Sequence, residues 1–548
     1  MDFLLHHLLQ SSADRNPAKE AVVHGDRRLS YAELCRRVNR LGAGLRDLGV
    51  MRGDRVGIFL EPSCTLAEAI FAISRAGGAF VPIHPSLFPD QVAHIVRDCE
   101  MTGLITDGTR YDRLGEALRS CPSLRFVACT EGDRHGSHAL RVVDLASLAN
   151  ARELVPGDDR SIGHDLAAIL YTSGSTGKPK GVMLSHANVI AGASIVSDYL
   201  GITSQDRILA ALPMSFDAGL NQLTTAIQQG GTLVLLQFLL AREVVDALLA
   251  EQITGLAGVP PFWSLMAQPS STLKARAPAL RYITNTGGAM PPGVLGKLRE
   301  ALPSTQVFLM YGLTEAFRST YLPPEELDRR PTSMGKAIPD TEILVVDDQG
   351  RLCGPGDVGE LVHHGPTVSM GYWGHPELTN KVLRPHPCPT PGLPPTVRVC
   401  YSGDLVRTDE DGFLYFVARR DNQIKSSGFR VSPTEVEEAL CAGGRLQHAA
   451  VVGVPDDVLG QRIEAFGILA EGVSVDPAEV LADCATRLPR YMVPRMLELL
   501  GELPRTSSGK TDYVALRQRA IARGQTAGDV GRDANGAEAA DPTPRERA

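Results

Sequence analysis

Apolar residues in the first hundred positions follow two alternating spacings. From Tyr31 to Leu48, and again from Cys64 to Ala76, they recur every three or four residues, which places them on one face of a helix. Arg55–Leu60 and Ala79–Pro82 are short and mostly apolar, as buried strands are. Helices that alternate with short buried strands predict an α/β fold built of layered helices and largely parallel sheets.

The same alternation continues in the middle of the chain. Leu166–Tyr171 predicts a strand that runs directly into a glycine-rich stretch. Leu220–Gln229 predicts a helix, and Thr232–Leu236, which is apolar and partly β-branched, predicts a strand after it. The first residues, Met1–His7, include an acid and no lysine or arginine, which favours a first amphipathic helix over a secretory signal.

The pattern changes towards the C-terminus. Strand-like runs at Arg398–Tyr401 and Phe413–Val417 lead to the charged stretch Arg419–Asn422, and a shorter α/β unit follows. We therefore predict a large N-terminal domain over residues 1–418, a hinge linker over 419–422 and a small mobile α/β domain over 423–520. Residues 521–548 contain no aromatic residue and are rich in Ala, Gly, Asp and Arg, which predicts a disordered tail.

Composition narrows the class of protein. The chain has 548 residues and a formal net charge of -8, and nucleic-acid-binding proteins usually carry a basic field, so no nucleic acid partner is expected. Its 10 cysteines show neither C-x-x-C nor zinc-site spacing, which is typical of reduced thiols in the cytoplasm. No apolar run approaches the ~20 residues of a membrane-spanning helix, so we expect a cytoplasmic protein without a membrane partner.

The stretch after the strand at Leu166–Tyr171 has the residue types of an anion-binding loop. Glycines in Thr172–Gly181 let backbone N–H groups turn towards a bound anion, and hydroxyl residues and two lysines add further donors. This combination suits a triphosphate. The string is not a Walker A loop, because Pro179 follows Lys178 where that motif requires Ser or Thr.

Tyr171–Gly181 also resembles the signature loop of the adenylate-forming superfamily, which contains acyl-CoA synthetases, the adenylation domains of peptide synthetases and firefly luciferase. Further strings resemble the family's other motifs in the family's order, so the resemblance covers roughly residues 10–520. These strings are Gly287–Ala289, Tyr311–Glu315, Tyr401–Asp404, Arg419–Lys425 and Pro504–Lys510. The resemblance implies an enzyme that activates a carboxylic acid with ATP and Mg²⁺.

The resemblance also implies a role for each motif in adenylation. Because a carboxylate attacks the α-phosphorus of ATP, two anions meet, and the site must supply positive charge and fixed donors. Lys510 would bridge the carboxylate and the α-phosphate, Thr314 would bond the α-phosphate, and Glu315 would bind Mg²⁺ as the metal ligand. The residues implied to hold ATP are Thr172, Ser173, Gly174, Ser175, Thr176, Gly177 and Lys178 around the phosphates, Gly287, Gly288 and Ala289 at the adenine, Tyr311 in the next motif, Asp404 at the ribose, and Arg419 at the ribose or phosphate.

The family carries out its second half-reaction after the small domain rotates. Asp421 matches the hinge position, and hinges are a few residues that absorb the backbone change. The segment Lys425–Arg430, with Lys425 and Gly428, would line a tunnel for a pantetheine thiol; an ordinary β-turn is the alternative.

The stretch Leu212–Asn221 indicates which acid is activated. Acyl-CoA synthetases commonly have a histidine where this chain has Phe216, whereas amino acid adenylating enzymes have Phe-Asp, whose Asp pairs with the substrate ammonium. Asp217 matches that Asp, and a carboxylate at a pocket wall needs a cationic partner. Alternatively, Asp217 only caps the helix that follows it. The same resemblance places around the acid Phe216, Asp217, Asn221, Gly258, Thr284, Thr286, Met310, Arg318 and Ser319.

These pocket residues are mixed and rather polar, which favours a small or polar amino acid over a long-chain fatty acid. Arg318 either pairs with a second carboxylate of the substrate or faces Glu315. No carrier-attachment motif follows Lys510. The resemblance therefore implies a stand-alone ligase that loads an amino acid onto the phosphopantetheine of a separate carrier protein. Two departures from the peptide-synthetase pattern, Leu313 and His84, keep open an acyl-CoA synthetase for a small or polar acid.

Overall fold

The computed structural model describes residues 2–131, 140–172, 179–268, 273, 277–389, 391–392, 397–419, 423–470, 472–504, 511–513 and 515–523. Its helices are α1 (Leu5–Arg15), α2 (Tyr31–Asp47), α3 (Cys64–Ala76), α4 (Pro89–Asp98), α5 (Gly108–Arg119), α6 (Leu145–Leu148), α7 (His186–Tyr199), α8 (Asp217–Gln229), α9 (Ala241–Ala250), α10 (Pro260–Met266), α11 (Pro292–Ala301), α12 (Pro376–Val382), α13 (Pro433–Cys441) and α14 (Pro477–Ala485).

The strands follow in chain order. They are β1 (Glu20–His24), β2 (Arg27–Ser30), β3 (Arg55–Phe59), β4 (Ala79–Pro82), β5 (Gly103–Thr106), β6 (Phe126–Cys129), β7 (Arg141–Asp144), β8 (Leu166–Thr172), β9 (Lys180–Ser185), β10 (Arg207–Ala210), β11 (Thr232–Leu235), β12 (Gly255–Gly258), β13 (Tyr282–Asn285), β14 (Gln306–Leu313), β15 (Ala316–Leu322), β16 (Lys336–Ala337), β17 (Glu342–Val346), β18 (Val358–His364), β19 (Gly371–Tyr372), β20 (Leu383–Pro385), β21 (Arg398–Thr408), β22 (Leu414–Arg419), β23 (Ile424–Ser426), β24 (Phe429–Val431), β25 (Leu446–Asp456), β26 (Gly460–Leu469) and β27 (Met496–Leu499).

Helix α2 shows how apolar spacing becomes structure. The hydroxyl of Ser30 accepts the Glu33 backbone N–H at 3.2 Å and caps the N-terminus of the helix. Leu34, Val38 and Leu41, three or four residues apart, are all buried. The sequence predicted this helix, and the predictions for α3, α8 and strands β3, β4, β8 and β11 are likewise confirmed to within a few residues. A first helix was also predicted at Met1–His7, and α1 begins at Leu5 but continues to Arg15.

The first sheet is the frame of the candidate site. Its strand order among the described residues is β16-β15-β14-β13-β12-β10-β11-β1-β2. The central strands from β14 to β1 pair in parallel, and β2, β15 and β16 add antiparallel edges. Parallel strands of this kind are buried on both faces, and for this reason their sequences are almost continuously apolar.

Three further sheets complete the fold in the described part of the chain. The second, β19-β9-β8-β4-β3-β5-β6-β7, is parallel from β8 to β7. The third joins β17, β18, β21, β20 and β22 in antiparallel pairs. The fourth joins β24, β23, β26, β25 and β27. The predicted α/β class with largely parallel sheets in the N-terminal part is confirmed.

Contacts divide the described residues into two units. The first contains residues up to 419 together with Ser427–Arg430, and the second contains Gln423 to Ser426 and the residues from Val431 onwards. The predicted linker residues 420–422 lie outside the described residues, so the predicted domain boundaries stay predictions. No helix in the described ranges is both long enough and apolar enough to cross a membrane.

Candidate functional site

Four neighbouring parallel strands of the first sheet end at the same edge. These strands are β10, β12, β13 and β14, and loops or turns leave each carboxyl end. Phe216 follows β10, Thr286 follows β13, and Thr314 follows β14. Ligands of α/β proteins bind outside the carboxyl ends of such strands. The fold therefore brings three of the predicted motifs, distant in sequence, to one edge of one sheet.

A buried hydrogen bond joins two further motifs. Tyr311 on β14 donates its hydroxyl to Oδ2 of Asp404 on β21, 93 residues later, and Asp404 is fully buried. The ring of His363 stacks on Tyr311 with centroids 6.1 Å apart. Burial lowers the pKa of His363 to about 4, although the carboxylates of Asp404 and Glu315 act in the opposite direction. The His363 ring is therefore neutral at neutral pH.

Gly403 sets the position of Asp404. Its φ of +72° lies in the left-handed region that favours glycine, inside an otherwise extended strand. Its N–H donates to Oε1 of Glu360 at 3.0 Å, and the next N–H, that of Asp404, donates to the Ser402 hydroxyl at 3.1 Å. A carboxylate can accept hydrogen bonds from two adjacent hydroxyls, so this buried acid fits the ribose of a nucleotide.

Glu315 lies at the turn between β14 and β15 and is 5% exposed. Its Oε1 accepts a hydrogen bond from the Tyr372 hydroxyl at 2.6 Å, and Nη1 of Arg430 lies 3.3 Å from Oε2. Tyr372 belongs to β19, which pairs with β9, the strand that follows the predicted phosphate loop. Three predicted motif regions thus meet at this carboxylate.

The predicted adenine turn follows β13 directly. Gly287 has a φ of +76°, and a side chain there would meet Val259 and the backbone of Gly428. The amide nitrogen of Asn285 donates to the Gly288 carbonyl at 2.8 Å and fixes the turn. Ala289 follows, so the turn consists of three small residues and has no bulky side chain.

Several predicted residues have no described structure. Thr172 ends β8 opposite Lys180, and the remaining phosphate-loop residues lie outside the described ranges. Lys425 lies on β23, and its backbone N–H donates to the Gln461 side chain at 2.8 Å. Gly428 has a φ of +81°. The predicted residues without a described placement are Ser173, Gly174, Ser175, Thr176, Gly177, Lys178, Asp421 and Lys510, together with the side chain of Arg419.

Asp217 is the first residue of α8 and does not cap it. The N-cap position is Phe216, which makes no side-chain capping hydrogen bond. The interpretation of Asp217 as a cap is therefore wrong. Its carboxylate is half-buried, and the described residues give it no hydrogen bond or ion pair. An acid in the first turn suits the helix dipole, but a partly buried carboxylate without a partner also suits a cationic ligand.

A cavity lies between the first sheet and helices α7 and α8. It contains four of the predicted substrate residues: Asn221, Thr284, Met310 and Arg318. Its other lining residues are Val196, Leu200, Ile202, Ile208, Ala218, Gln222, Thr225, Leu256, Ala257 and Tyr282. Helix α8 contributes Ala218, Asn221, Gln222 and Thr225. Successive turns of the helix place these residues three or four positions apart, so the prediction of Asn221 as a pocket residue could have been extended to the others on the same helix face.

The other predicted pocket residues lie beside the cavity rather than on its wall. Phe216 packs edge-on against Phe429, with ring centroids 5.0 Å apart. A side chain at Gly258 would meet Phe262 and Trp263, so the neighbouring Ala257 lines the cavity in its place.

Thr286 and Ser319 are also buried beside the cavity. The Thr286 hydroxyl accepts a hydrogen bond from Arg318 at 3.3 Å, and the Ser319 hydroxyl donates to the Ala316 carbonyl at 3.4 Å. Thr286 therefore touches a residue of the cavity wall, whereas Ser319 bonds its own strand.

The sequence family described as AMP-binding enzyme matches residues 9–373, and its C-terminal domain family matches residues 435–510. Feruloyl-CoA synthase of an Amycolatopsis species is 32% identical over 514 residues, covering 92% of this chain and 97% of that protein. The chain belongs to the AMP-binding enzyme family, within the adenylate-forming superfamily. It is an ATP-using, adenylate-forming ligase that resembles acyl-CoA synthetases.

Two peptide synthetases are also similar. Delta-poly-L-ornithine synthetase of Acinetobacter baumannii is 32% identical over 524 residues, covering 94% of this chain and 37% of that protein. Tyrocidine synthase 2 of Brevibacillus parabrevis is 31% identical over 525 residues, covering 94% and 14%. The chain thus spans well under half the length of these relatives.

Solved structures share the architecture. Amide bond synthetase McbA from Marinactinospora thermotolerans is 26% identical with a TM-score of 0.83, over 94% of this chain and 99% of that chain. o-Succinylbenzoate CoA synthetase MenE from Bacillus subtilis is 27% identical with a TM-score of 0.78, over 92% and 96%. The predicted fold, a large N-terminal part with a smaller C-terminal part, is confirmed.

Proposed function

We propose that the enzyme activates a small or polar amino acid as its aminoacyl adenylate and then transfers it to the phosphopantetheine thiol of a separate carrier protein. One observation carries the amino acid assignment. The half-buried carboxylate of Asp217 stands at the sheet edge without a partner in the described part of the chain. A substrate ammonium supplies the missing positive charge. The similarity to peptide synthetases supports the same assignment.

In the first half-reaction, a carboxylate oxygen of the amino acid bonds the α-phosphorus of ATP, and the bond to the β-phosphate breaks, so pyrophosphate leaves. Thr314 follows β14 and is 8% exposed, which suits a hydroxyl that donates to the α-phosphate. Asp404, held by Tyr311, accepts hydrogen bonds from the ribose hydroxyls. Fixed donors and acceptors of this kind favour the transition state because they need no reorganisation.

Glu315 is the proposed ligand of Mg²⁺, which would neutralise phosphate charge. Carboxylate oxygens suit this ion. Oε2 of Glu315 lies 3.3 Å from the guanidinium of Arg430, and two cations at one oxygen repel each other. A magnesium ion at Glu315 would therefore share the carboxylate with Arg430.

Substrate-dependent ATP–pyrophosphate exchange tests the amino acid assignment. The panel pairs each amino acid with its deaminated acid, and the variants are Asp217→Ala and a control, Asp90→Ala. Asp90 is also an acid in a first helical turn, but it is exposed on α4. We expect exchange with amino acids only, its loss in Asp217→Ala and its retention in Asp90→Ala. Equal exchange with deaminated acids, unaffected by Asp217→Ala, would show that the enzyme is an acyl-CoA synthetase.

The acceptor is tested separately, because feruloyl-CoA synthase is similar over nearly its whole length. After adenylation, the enzyme is offered coenzyme A or a phosphopantetheinylated carrier protein, and thioester is measured by mass spectrometry. The proposal predicts transfer to the carrier protein and little to coenzyme A. The reverse preference would replace the carrier with coenzyme A without changing the first half-reaction.

The roles of Lys510 and Asp421 remain predictions from the resemblance. Lys510→Ala should lose most adenylation and keep ATP binding, because the lysine would bridge the carboxylate and the α-phosphate. Asp421→Pro should spare pyrophosphate exchange and abolish thioester formation. Unchanged exchange in Lys510→Ala, or equal loss of both half-reactions in Asp421→Pro, would contradict these roles.

A further inference from the structure

Arg318 is a buried cation in the wall of the cavity between the first sheet and helices α7 and α8. It lies on β15 and is 5% exposed. Its Nη1 donates to the Thr286 hydroxyl at 3.3 Å, and its Nε, although buried, has no hydrogen-bond partner among the described residues. A guanidinium carries five N–H donors, and among the described residues only the Thr286 hydroxyl accepts from this one.

The described residues supply no counter-ion for this charge. Glu315, three residues earlier in the chain, pairs with Tyr372 and Arg430, and no ion pair joins it to Arg318 in the described structure. An arginine keeps its charge at neutral pH, and a buried charge without a partner is strongly unfavourable. Of the two alternatives that the sequence left open, facing Glu315 is thereby disfavoured.

Other polar atoms around the cavity also lack partners in the described structure. They are Nδ2 of Asn221, which is a donor, and Oε1 of Gln222, which is an acceptor. The hydroxyl of Tyr199 is buried and unpartnered as well; burial raises its pKa, and the nearby charge of Arg318 acts in the opposite direction. Nε of Arg318, Nδ2 of Asn221 and this hydroxyl are three buried donors without partners in the described structure, and an anion such as a carboxylate supplies acceptors.

We infer that the activated acid carries a second carboxylate, and that Arg318, with Asn221 beside it, binds that group inside the cavity. This inference rests on the proposed function and extends it: the substrate class is an amino dicarboxylic acid. A planar guanidinium matches a carboxylate with two parallel N–H···O bonds, which makes the recognition specific. The cavity wall also carries the apolar side chains of Val196, Leu200 and Ile208.

Pyrophosphate exchange with four kinds of acid tests the inference. The panel contains amino dicarboxylates of four to six carbons, their side-chain amides, the matched dicarboxylates without an amine, and neutral amino acids. The wild type is compared with Arg318→Met and with Arg318→Gln, which retains a polar side chain if methionine impairs folding. Arg119→Met, at an exposed arginine of α5, controls for loss of one positive charge.

We expect the wild type to favour an amino dicarboxylate over its amide by about 100-fold in kcat/KM, because the amide leaves the guanidinium unpaired. This ratio should fall to near one in Arg318→Met and Arg318→Gln and stay unchanged in Arg119→Met.

The panel separates failure of this inference from failure of the proposed function. If neutral amino acids or amides exchange as well as dicarboxylates, Arg318 does not bind a second carboxylate, and the amino acid assignment stands. If dicarboxylates without an amine exchange as well as amino dicarboxylates, Arg318 keeps its role and the amino acid assignment fails. If both Arg318 variants keep the full preference for dicarboxylates, the inference is wrong.

Discussion

Two arginines of the first unit, Arg75 and Arg318, are buried to a similar degree but differ in how many hydrogen bonds their guanidinium groups make. Arg75 is 3% exposed, and its guanidinium bonds Asp159 at 2.6 Å, the Asn39 side chain at 3.0 Å and the Val155 carbonyl at 2.5 Å. Arg318 is 5% exposed, and its guanidinium bonds Thr286 alone among the described residues.

Two aspartates repeat this contrast. Asp159 accepts hydrogen bonds from His6, His7 and Arg75, and the first of these bonds is the largest cause that holds its pKa well below the usual range. Asp217 has no partner in the part of the chain that the structure describes. The fold brings Arg75 and Asp159 into direct contact. In the described structure it forms no such ion pair at Arg318 or at Asp217.

This difference separates polar groups that stabilise the fold from polar groups that await a ligand. Buried polar groups in proteins are nearly always hydrogen-bonded, so each exception requires a reason. Around Arg75 the protein itself provides the partners. Around Arg318 and Asp217 we propose that the substrate provides them, with its second carboxylate and its ammonium.

The largest expected effect is the loss of stability when the ion pair of Arg75 and Asp159 is broken. Arg75→Met leaves the Asp159 carboxylate without its cation, so the free energy of unfolding should fall by about 3–5 kcal/mol. Urea denaturation followed by circular dichroism measures this change, with Arg119→Met as the exposed control, expected within about 0.5 kcal/mol of wild type. A loss below about 1 kcal/mol would show that the cluster around Asp159 contributes little.

The dependence of stability on pH tests the same group of residues around Asp159. Burial lowers the pKa of His6 from the usual 6.5 to about 4, so the ring stays neutral in the folded state at a pH where the unfolded chain protonates it. The stability from neutral His6 is present above pH 6.5 and is lost as the pH falls towards 4. Because of His6, the free energy of unfolding should therefore be about 2 kcal/mol lower at pH 5 than at pH 7.

Burial also lowers the pKa of His186, to about 3, and His186 adds a contribution of the same sign. The groups that face His6 are Ser74, Asp159, His7 and Arg75. His6→Gln should remove only the part of the pH-dependent loss of stability that comes from His6. A slope of stability against pH that is identical in His6→Gln and wild type would contradict this assignment.

The smallest effect on activity is expected at Thr286. Thr286→Val removes the one hydrogen bond that the Arg318 guanidinium makes in the described structure, and that bond is long at 3.3 Å. We expect a change below about 1 kcal/mol in stability and a rise in KM for the acid of less than about tenfold, with kcat nearly unchanged. Thr286→Ser should restore the wild-type KM. A large loss of kcat would indicate a role other than positioning Arg318.

The sequence predicted local features well because local rules determine them. Tyr31–Leu48 was predicted as a helix, and α2 ends one residue earlier, because apolar spacing and a serine cap act within a few residues. The glycine-rich loop and the Tyr-Gly-Leu-Thr-Glu string indicated the family for a similar reason: each is continuous in the chain.

Partnership between distant residues was harder to predict. The bond from Tyr311 to Asp404 spans 93 residues, and only the fold shows that Glu315 meets Tyr372 and not Arg318. Asp217 could be a cap or a ligand on sequence grounds, and the start of α8 at Asp217 itself decided against the cap. Gly258 was expected at the cavity wall, but the rings of Phe262 and Trp263 lie against it.

Among the residues that the structure describes, none neutralises the charge of Arg318, and we propose that a substrate does so. Urea denaturation of Arg318→Met without any ligand tests this claim most directly and needs no knowledge of the substrate. Replacing a buried, unpaired charge with an apolar side chain of similar length should leave stability unchanged or raise it by about 1 kcal/mol or more. A loss of about 3 kcal/mol, like that expected for Arg75→Met, would mean that the protein already compensates Arg318, and would contradict the account.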